Sequence, residues 1–415
     1  NTNTVDETPL TGAGVGVLSK RDLDTFGLEL ANTSRFMLGE DLALAVTGGF
    51  EVIKDSAVGR TGTGVRGGVV TGDQDFFGVF VQSAFTWFSP FGLDDGEFSL
   101  TPGVRYDTFE STNTTGTQTE DSQVSPKVTA RLAPVPWTFV YGSYGDAFRA
   151  PRLDELFPTG THFPVFGPAG LVGLNTFQPN TALKPQSTTT WETGIGFEFE
   201  DVLSKDDIFQ AKVGHYSTDG ENFLSLEVLQ NANLANPQFF PAPFLVPGFT
   251  CRAFVSTAVD PTGCGGTTQI VNIRDAELSG FELEASYDSS RWRVSVAAQT
   301  MDTENKATGQ PIGIELADQV TTDIRLKLPE ISSHVGWQAT FADAFREGNN
   351  AANYRNSYQT HEIYTRWRPV DGPLNGFSLG LTAENLFDAE YQRVASDTVE
   401  EGRSVLVDVT YTLNW

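Results

Sequence analysis

The sequence predicts an all-β fold, a transmembrane antiparallel β-barrel, and three observations carry that prediction. Apolar and polar residues alternate over segments of roughly 9–14 residues, about double the usual strand of a soluble sheet. The connections between these segments alternate short and long, as periplasmic turns and extracellular loops do in outer-membrane barrels. Aromatic residues gather near segment ends (Trp87, Phe88, Trp137, Trp292, Trp337, Trp367, Trp415), where a membrane barrel carries its interfacial girdles.

About fifteen segments follow in order. They lie near 24–35, 42–53, 75–88, 97–109, 122–133, 137–147, 187–200, 207–218, 270–286, 291–302, 320–328, 334–344, 358–368, 377–387 and 403–415. In the last, Val405, Val407, Val409, Tyr411, Leu413 and Trp415 share one face, and only Leu406 breaks the polar character of the other. In 191–200, Trp191, Ile195, Phe197 and Phe199 oppose Glu192, Gly194, Gly196, Glu198 and Glu200. The short connections are 36–41, 89–96, 134–136, 201–206, 287–290, 329–333 and 369–376. The long ones are 54–74, 110–121, 148–186, 219–269, 303–319, 345–357 and 388–402. Barrels of this kind have an even strand number, because both chain ends lie in the periplasm. An odd count therefore predicts that residues 1–415 are the C-terminal portion of one barrel domain, with earlier strands outside this chain. The start at Asn1, without Met, a basic n-region or an apolar leader, reads as either processed or incomplete.

Composition narrows the class. The chain of 415 residues holds 31 Phe and 41 Gly, and no apolar run approaches the roughly 18–20 residues of a membrane helix. A net charge of −26 excludes nucleic-acid binding, which needs basic surface to replace phosphate counterions. Cys251 and Cys264 sit in a stretch rich in Pro and Gly and read as a local disulfide made in an oxidising compartment. No phosphate-cradling loop, HExxH, CxxC pair or nucleophile elbow is present, so no enzyme is expected.

Three motifs then converge. Phe148-Arg149-Ala150-Pro151 ends one strand on the long-loop side. Asn385-Leu386-Phe387-Asp388, followed by Tyr391, ends the penultimate strand on that side, and the chain closes on an aromatic residue. With Leu278-Ser279-Gly280-Phe281-Glu282, these residues resemble the TonB-dependent receptors of the outer membrane. The resemblance implies a barrel of about 22 strands, an N-terminal plug that this chain does not contain, and coupling to a TonB energy-transducing complex. Within that family, haem and haemoprotein receptors carry a histidine between the first motif and an NPNL motif. Here His162 follows Pro151, and Gln178-Pro179-Asn180-Thr181-Ala182-Leu183 stands where NPNL is expected, with Gln for the first Asn and two residues inserted before Leu183.

The resemblance thus implies active uptake of haem, free or from a haem-carrying protein, as a transported ligand and not as a permanently bound cofactor. A neutral imidazole is a good axial ligand for haem iron, so His162 is the expected metal ligand. Phe163, Phe166 and their apolar neighbours Val165, Leu171, Val172 and Leu174 could pack on a porphyrin face. Arg149 either pairs with a ligand carboxylate or ties its loop to Asp154 or Glu155. Phe239, Phe240, Phe244 and Phe249 in loop 219–269 invite a protein partner or fold over the barrel mouth. His215, His334 and His361 read as structural, with His361 the exception if it faces the lumen. The alternative cargoes are a ferric siderophore or another large nutrient, and a passive porin is the rival class.

Overall fold

The structure is a computed structural model and describes residues 2–7, 19–61, 71–167, 170–229, 266–273, 275–312, 316–346, 354–394, 396 and 398–412. Its wall is one antiparallel meander. The strands are β1 (Thr2–Glu7), β2 (Ser19–Met37), β3 (Leu42–Thr61), β4 (Gly72–Phe88), β5 (Glu97–Asn113), β6 (Gln118–Val135) and β7 (Thr138–Arg149). After a first long loop come β10 (Gln186–Glu200) and β11 (Ile208–Glu221), and after a second come β14 (Ala276–Asp288), β15 (Trp292–Gln299) and β16 (Asp302–Asn305). The wall ends with β17 (Gln319–Leu328), β18 (Ser333–Ala342), β19 (Tyr358–Trp367), β20 (Phe377–Glu384) and β21 (Ser404–Tyr411). Each strand pairs with the next in this order, except that β15 pairs directly with β17 and β16 pairs back with β14. β15 and β16 both pair with β14 and are two halves of one crossing. The seventeen-stranded sheet therefore makes sixteen crossings among the described residues.

All fifteen segments expected from the alternation are strands, and β1 is additional. Two readings need correction. The connection 110–121, expected to be long, is only the turn 114–117, because β5 and β6 run on beyond the alternating segments. The segment 270–286 runs together the end of β13 (Thr267–Asn272) and the start of β14, which belong to different sheets. Among the described residues no helix is long and apolar enough to cross a membrane.

The alternation sorts side chains to two faces. Phe77, Val79 and Val81 of β4, Val104 and Tyr106 of β5, and Val405, Val407 and Val409 of β21 all lie exposed on the outer face. An apolar surface this continuous is what lipid solvates. The inner face holds charges in pairs. Arg105 bonds Glu51 and Asp107, each at 2.7 Å. Tyr141 donates to Glu192 at 2.6 Å, and Lys212 lies over the Tyr141 ring. Tyr364 donates to Asp323 while accepting from Arg325 Nε at 3.0 Å. Leu406, the residue that broke the pattern, lines a lumenal recess with Arg325, Glu362 and Asp408. Trp87, Trp137, Trp292 and Trp367 all stand at the short-turn end, as a girdle requires. Trp337 does not: it lies inside β18 and stacks near His361. Trp415 and the pair Cys251 and Cys264 lie outside the described residues.

The turn between β10 and β11 shows how a short connection is locked. The buried Asp207 carboxylate accepts from the N–H groups of Val202, Leu203 and Ser204 at 2.6, 3.0 and 2.6 Å, and from Tyr287 at 2.7 Å. Burial opposes its charge, but these donors outweigh burial and hold its pKa at about 2. A depressed carboxylate stabilises the fold above its unfolded value of 3.8 and loses that contribution as pH falls towards 2. The refolded barrel of Asp207→Asn is therefore expected to unfold at lower urea than the parent. The gap should be widest above about pH 4 and close below it; a gap independent of pH would sink this account.

Candidate ligand-binding site

The first motif is an anchor at the point where β7 leaves the wall. The β6–β7 register ends at Lys127 and Gly145, so the last residues of β7 run on without β6. Phe148 rests against Phe109, which touches Phe76. Arg149 makes a two-pronged pair with Glu155, both bonds 3.0 Å, and also donates to Gln186. Glu155 in turn accepts from the Arg152 N–H at 2.8 Å. The guanidinium thus meets Glu155, one of the two loop carboxylates named as its possible partners. Ala150 and Pro151 are buried, and the Pro151 carbonyl accepts from Gln74 of β4 at 2.9 Å.

Behind Pro151 the chain forms one helical turn, α1 (Leu153–Leu156). Its apolar side chains point into the barrel mouth. Leu153, Leu156 and Phe157 are buried with Ala57 of β3 and Leu183 of the second motif, and Leu23, Leu224 and Ile270 pack around them. β4, β5 and β6 separate β3 from β7 in the sheet, so the loop crosses the mouth to reach its partner. The second motif is fastened to the other long loop. Asn180 receives nothing from chance contact: its N–H donates to the Leu156 carbonyl at 2.8 Å, its Nδ2 to Ile270 at 2.9 Å, and its Oδ1 accepts from Ala182 at 3.1 Å. The Pro179 carbonyl accepts from Gln269 at 3.1 Å. Two residues inserted before Leu183 are accommodated in this Asn-centred turn, and Leu183 still reaches the buried cluster.

Sequence reasoning missed what joins the two loops. β8 (Gly160–Gly167) and β9 (Gly170–Gln178) from the first, with β12 (Leu224–Leu229) and β13 from the second, make a separate four-stranded sheet in the order β12-β13-β9-β8. β9 and β13 pair in parallel across this junction. A signal was present: two apolar runs flank Gly167-Pro168-Ala169-Gly170, a hairpin pattern. Pro164 hides it, yet β8 is an edge strand, where a missing N–H is tolerated.

His162 sits on β8 at this junction. Its Nδ1 lies 2.9 Å from Thr268 Oγ1 of β13, and its ring lies 4.5 Å from the Phe177 ring of β9. Thr268 and Asn175, both buried, are hydrogen-bonded to each other, the hydroxyl donating to Asn175 Oδ1. The side chains of Phe163 and Phe166, expected beside His162, lie outside the described residues, as do Phe239, Phe240, Phe244 and Phe249. The remaining histidines separate by strand parity. His215 contacts exposed Phe281 on the outer face. His361 meets Trp337, Phe341 and Phe387 on the same outer side, so the lumenal exception does not arise. His334 stands in the lumen near Tyr364.

The Asn385 motif closes the β20 end. Asn385 and Asp388 take positive φ of 44° and 56°, which Asn and Asp tolerate better than most residues. Asn385 Nδ2 donates to the Ala389 carbonyl and its Oδ1 accepts from the Ala389 N–H. Tyr391 stacks on Tyr358 at 4.3 Å.

A charged, paired inner face under an apolar outer face, on one antiparallel meander of long strands, is the wall of an outer-membrane β-barrel. The model of the TonB dependent receptor-like β-barrel matches residues 2–386, and the chain belongs to that family. Among curated relatives it is 24% identical to a hemin receptor of Yersinia pestis over 94% of this chain and 51% of that protein. It is 23% identical to a heme/hemopexin utilization protein C of Haemophilus influenzae over 96% of this chain and 52% of that protein. The chain thus spans about half the length of these relatives. Among solved structures, a double mutant of the hemophore receptor HasR of Serratia marcescens, in complex with its hemophore HasA and heme, superposes with a TM-score of 0.69. Identity there is 20%, covering 96% of this chain and 60% of that one. The copper transporter OprC superposes with a TM-score of 0.63 at 17% identity, covering 95% and 57%. Likeness at these identities speaks for the fold.

Proposed function

We propose that the chain is the C-terminal barrel portion of a TonB-dependent active transporter that takes up haem, free or handed over by a haem-carrying protein. The plug and the earliest strands belong to the rest of the protein, and the long loops face outward from the cell. The observation that carries the reading is the placement of His162 on a sheet built by both long loops, with its Nδ1 bonded to Thr268. The names of the hemin and heme/hemopexin relatives support the cargo. His162 ligates the iron, and Phe163 and Phe166 supply apolar contact. Arg149 holds the loop in place through Glu155.

The test uses the complete receptor in detergent, titrated with hemin. His162→Ala is expected to change the Soret band and to weaken hemin binding at least tenfold. Parental spectrum and affinity in that variant would overturn the ligand assignment, and competition by a ferric siderophore but not by hemin would overturn the cargo.

A further inference from the structure

We infer that Thr268 and Asn175 are positioning residues that fix which nitrogen of His162 meets the ligand, an inference that rests on the haem reading above. The Thr268 hydroxyl gives its hydrogen to Asn175 Oδ1, so toward His162 its oxygen can only accept. His162 must then carry its proton on Nδ1, and Nε2 carries the electron pair that ligates iron. The opposite tautomer would set two lone pairs against each other at 2.9 Å.

Three features argue that this chain of bonds is built for that purpose. Both polar side chains are fully buried, at 0% exposure, where an unsatisfied group is costly. They come from different strands, Asn175 on β9 and Thr268 on β13, so the relay exists only when the two long loops are joined. The Phe177 ring flanks the imidazole and limits its rotation. An imidazole that donates from Nδ1 is also more basic at Nε2 and favours ferric over ferrous iron.

The test uses the complete receptor and hemin, with Thr268→Val, Thr268→Ser, Asn175→Leu and His162→Ala compared. Thr268→Val keeps the shape and removes the acceptor. It should weaken hemin binding roughly tenfold or more. It should also lower the ferric-over-ferrous preference about threefold, an upward shift of about 30 mV at 59 mV per tenfold. Thr268→Ser should return both readouts towards the parent, which a loss of packing alone would not explain. Asn175→Leu frees the hydroxyl to donate to Nδ1 and should weaken binding in the same direction. It also decides the question should Thr268→Val fail to assemble. If Thr268→Val and Asn175→Leu bind hemin with parental affinity and potential while His162→Ala does not, the positioning role is wrong and the ligand reading stands. If His162→Ala also behaves as the parent, both fall.

Discussion

Leu156→Ala should open the mouth of the receptor without unfolding its wall. Leu156 is completely buried, at the centre of a cluster drawn from β3, α1, the second motif, β12 and β13. Removing a buried Leu side chain costs about 2–5 kcal/mol, the higher values where the surroundings cannot collapse into the gap. Here they are tied elsewhere: Ala57 belongs to a wall strand, and Ile270 is held through its carbonyl by Asn180. The cost therefore falls on the docking of the loop. At about 1.4 kcal/mol per tenfold, a loss of 3 kcal/mol (about the lower middle of that range) raises the open population roughly a hundredfold. Limited proteolysis within 150–185 should accelerate by that order, while the heat-dependent gel migration that reports the intact barrel stays parental. An unchanged cleavage rate would show that the cluster does not hold the loop.

Gly336→Val should damage the wall itself. Gly336 lies on β18 opposite Tyr364 of β19, and a Cβ there would stand 2.6 Å from the Tyr364 Cε1, with Cζ and the hydroxyl oxygen closer still. The ring cannot retreat freely, because its hydroxyl donates to Asp323 and accepts from Arg325. Overpacking of this kind costs about 1–3 kcal/mol, and displacing Tyr364 also leaves Asp323 and Arg325 without their shared partner. The urea midpoint of the refolded barrel should drop. Tyr364→Ala removes the obstacle, so the double variant should be more stable than the sum of the singles predicts, by about 1 kcal/mol or more. Gly27→Val is the control, since nothing lies within 4 Å of a Cβ at that position. Strict additivity in the Gly336 and Tyr364 pair would refute the argument.

The wall was legible because its physics is repetitive. A strand that meets lipid on one side and a charged lumen on the other must alternate, and Val405, Val407 and Val409 against Asp408 and Thr410 show it directly. The glycines were half legible. Gly194 and Gly196 fell on the polar face, but only the structure shows aromatic rings lying across them and across Gly336. The site was legible as residues and not as an arrangement. Phe148–Pro151, His162 and Asn180 were found in the sequence, yet nothing local relates His162 to Thr268, 106 residues further on. Such a contact is dictated by where the barrel sets the loop ends. The same holds for Arg149, whose partner Glu155 could be named in advance although its engagement could not.

The parallel junction of β9 with β13 has a consequence for the order in which the protein assembles. Most wall strands find partners a short hairpin away, and even β7 with β10 or β11 with β14 are nearer in sequence than Asn180 and Ile270, which meet across 90 residues. Contacts between distant segments bear a larger loop-closure cost and form late. A newly inserted barrel is therefore expected to stand with its mouth open, and to bring His162 against Thr268 only when the last sheet zips shut.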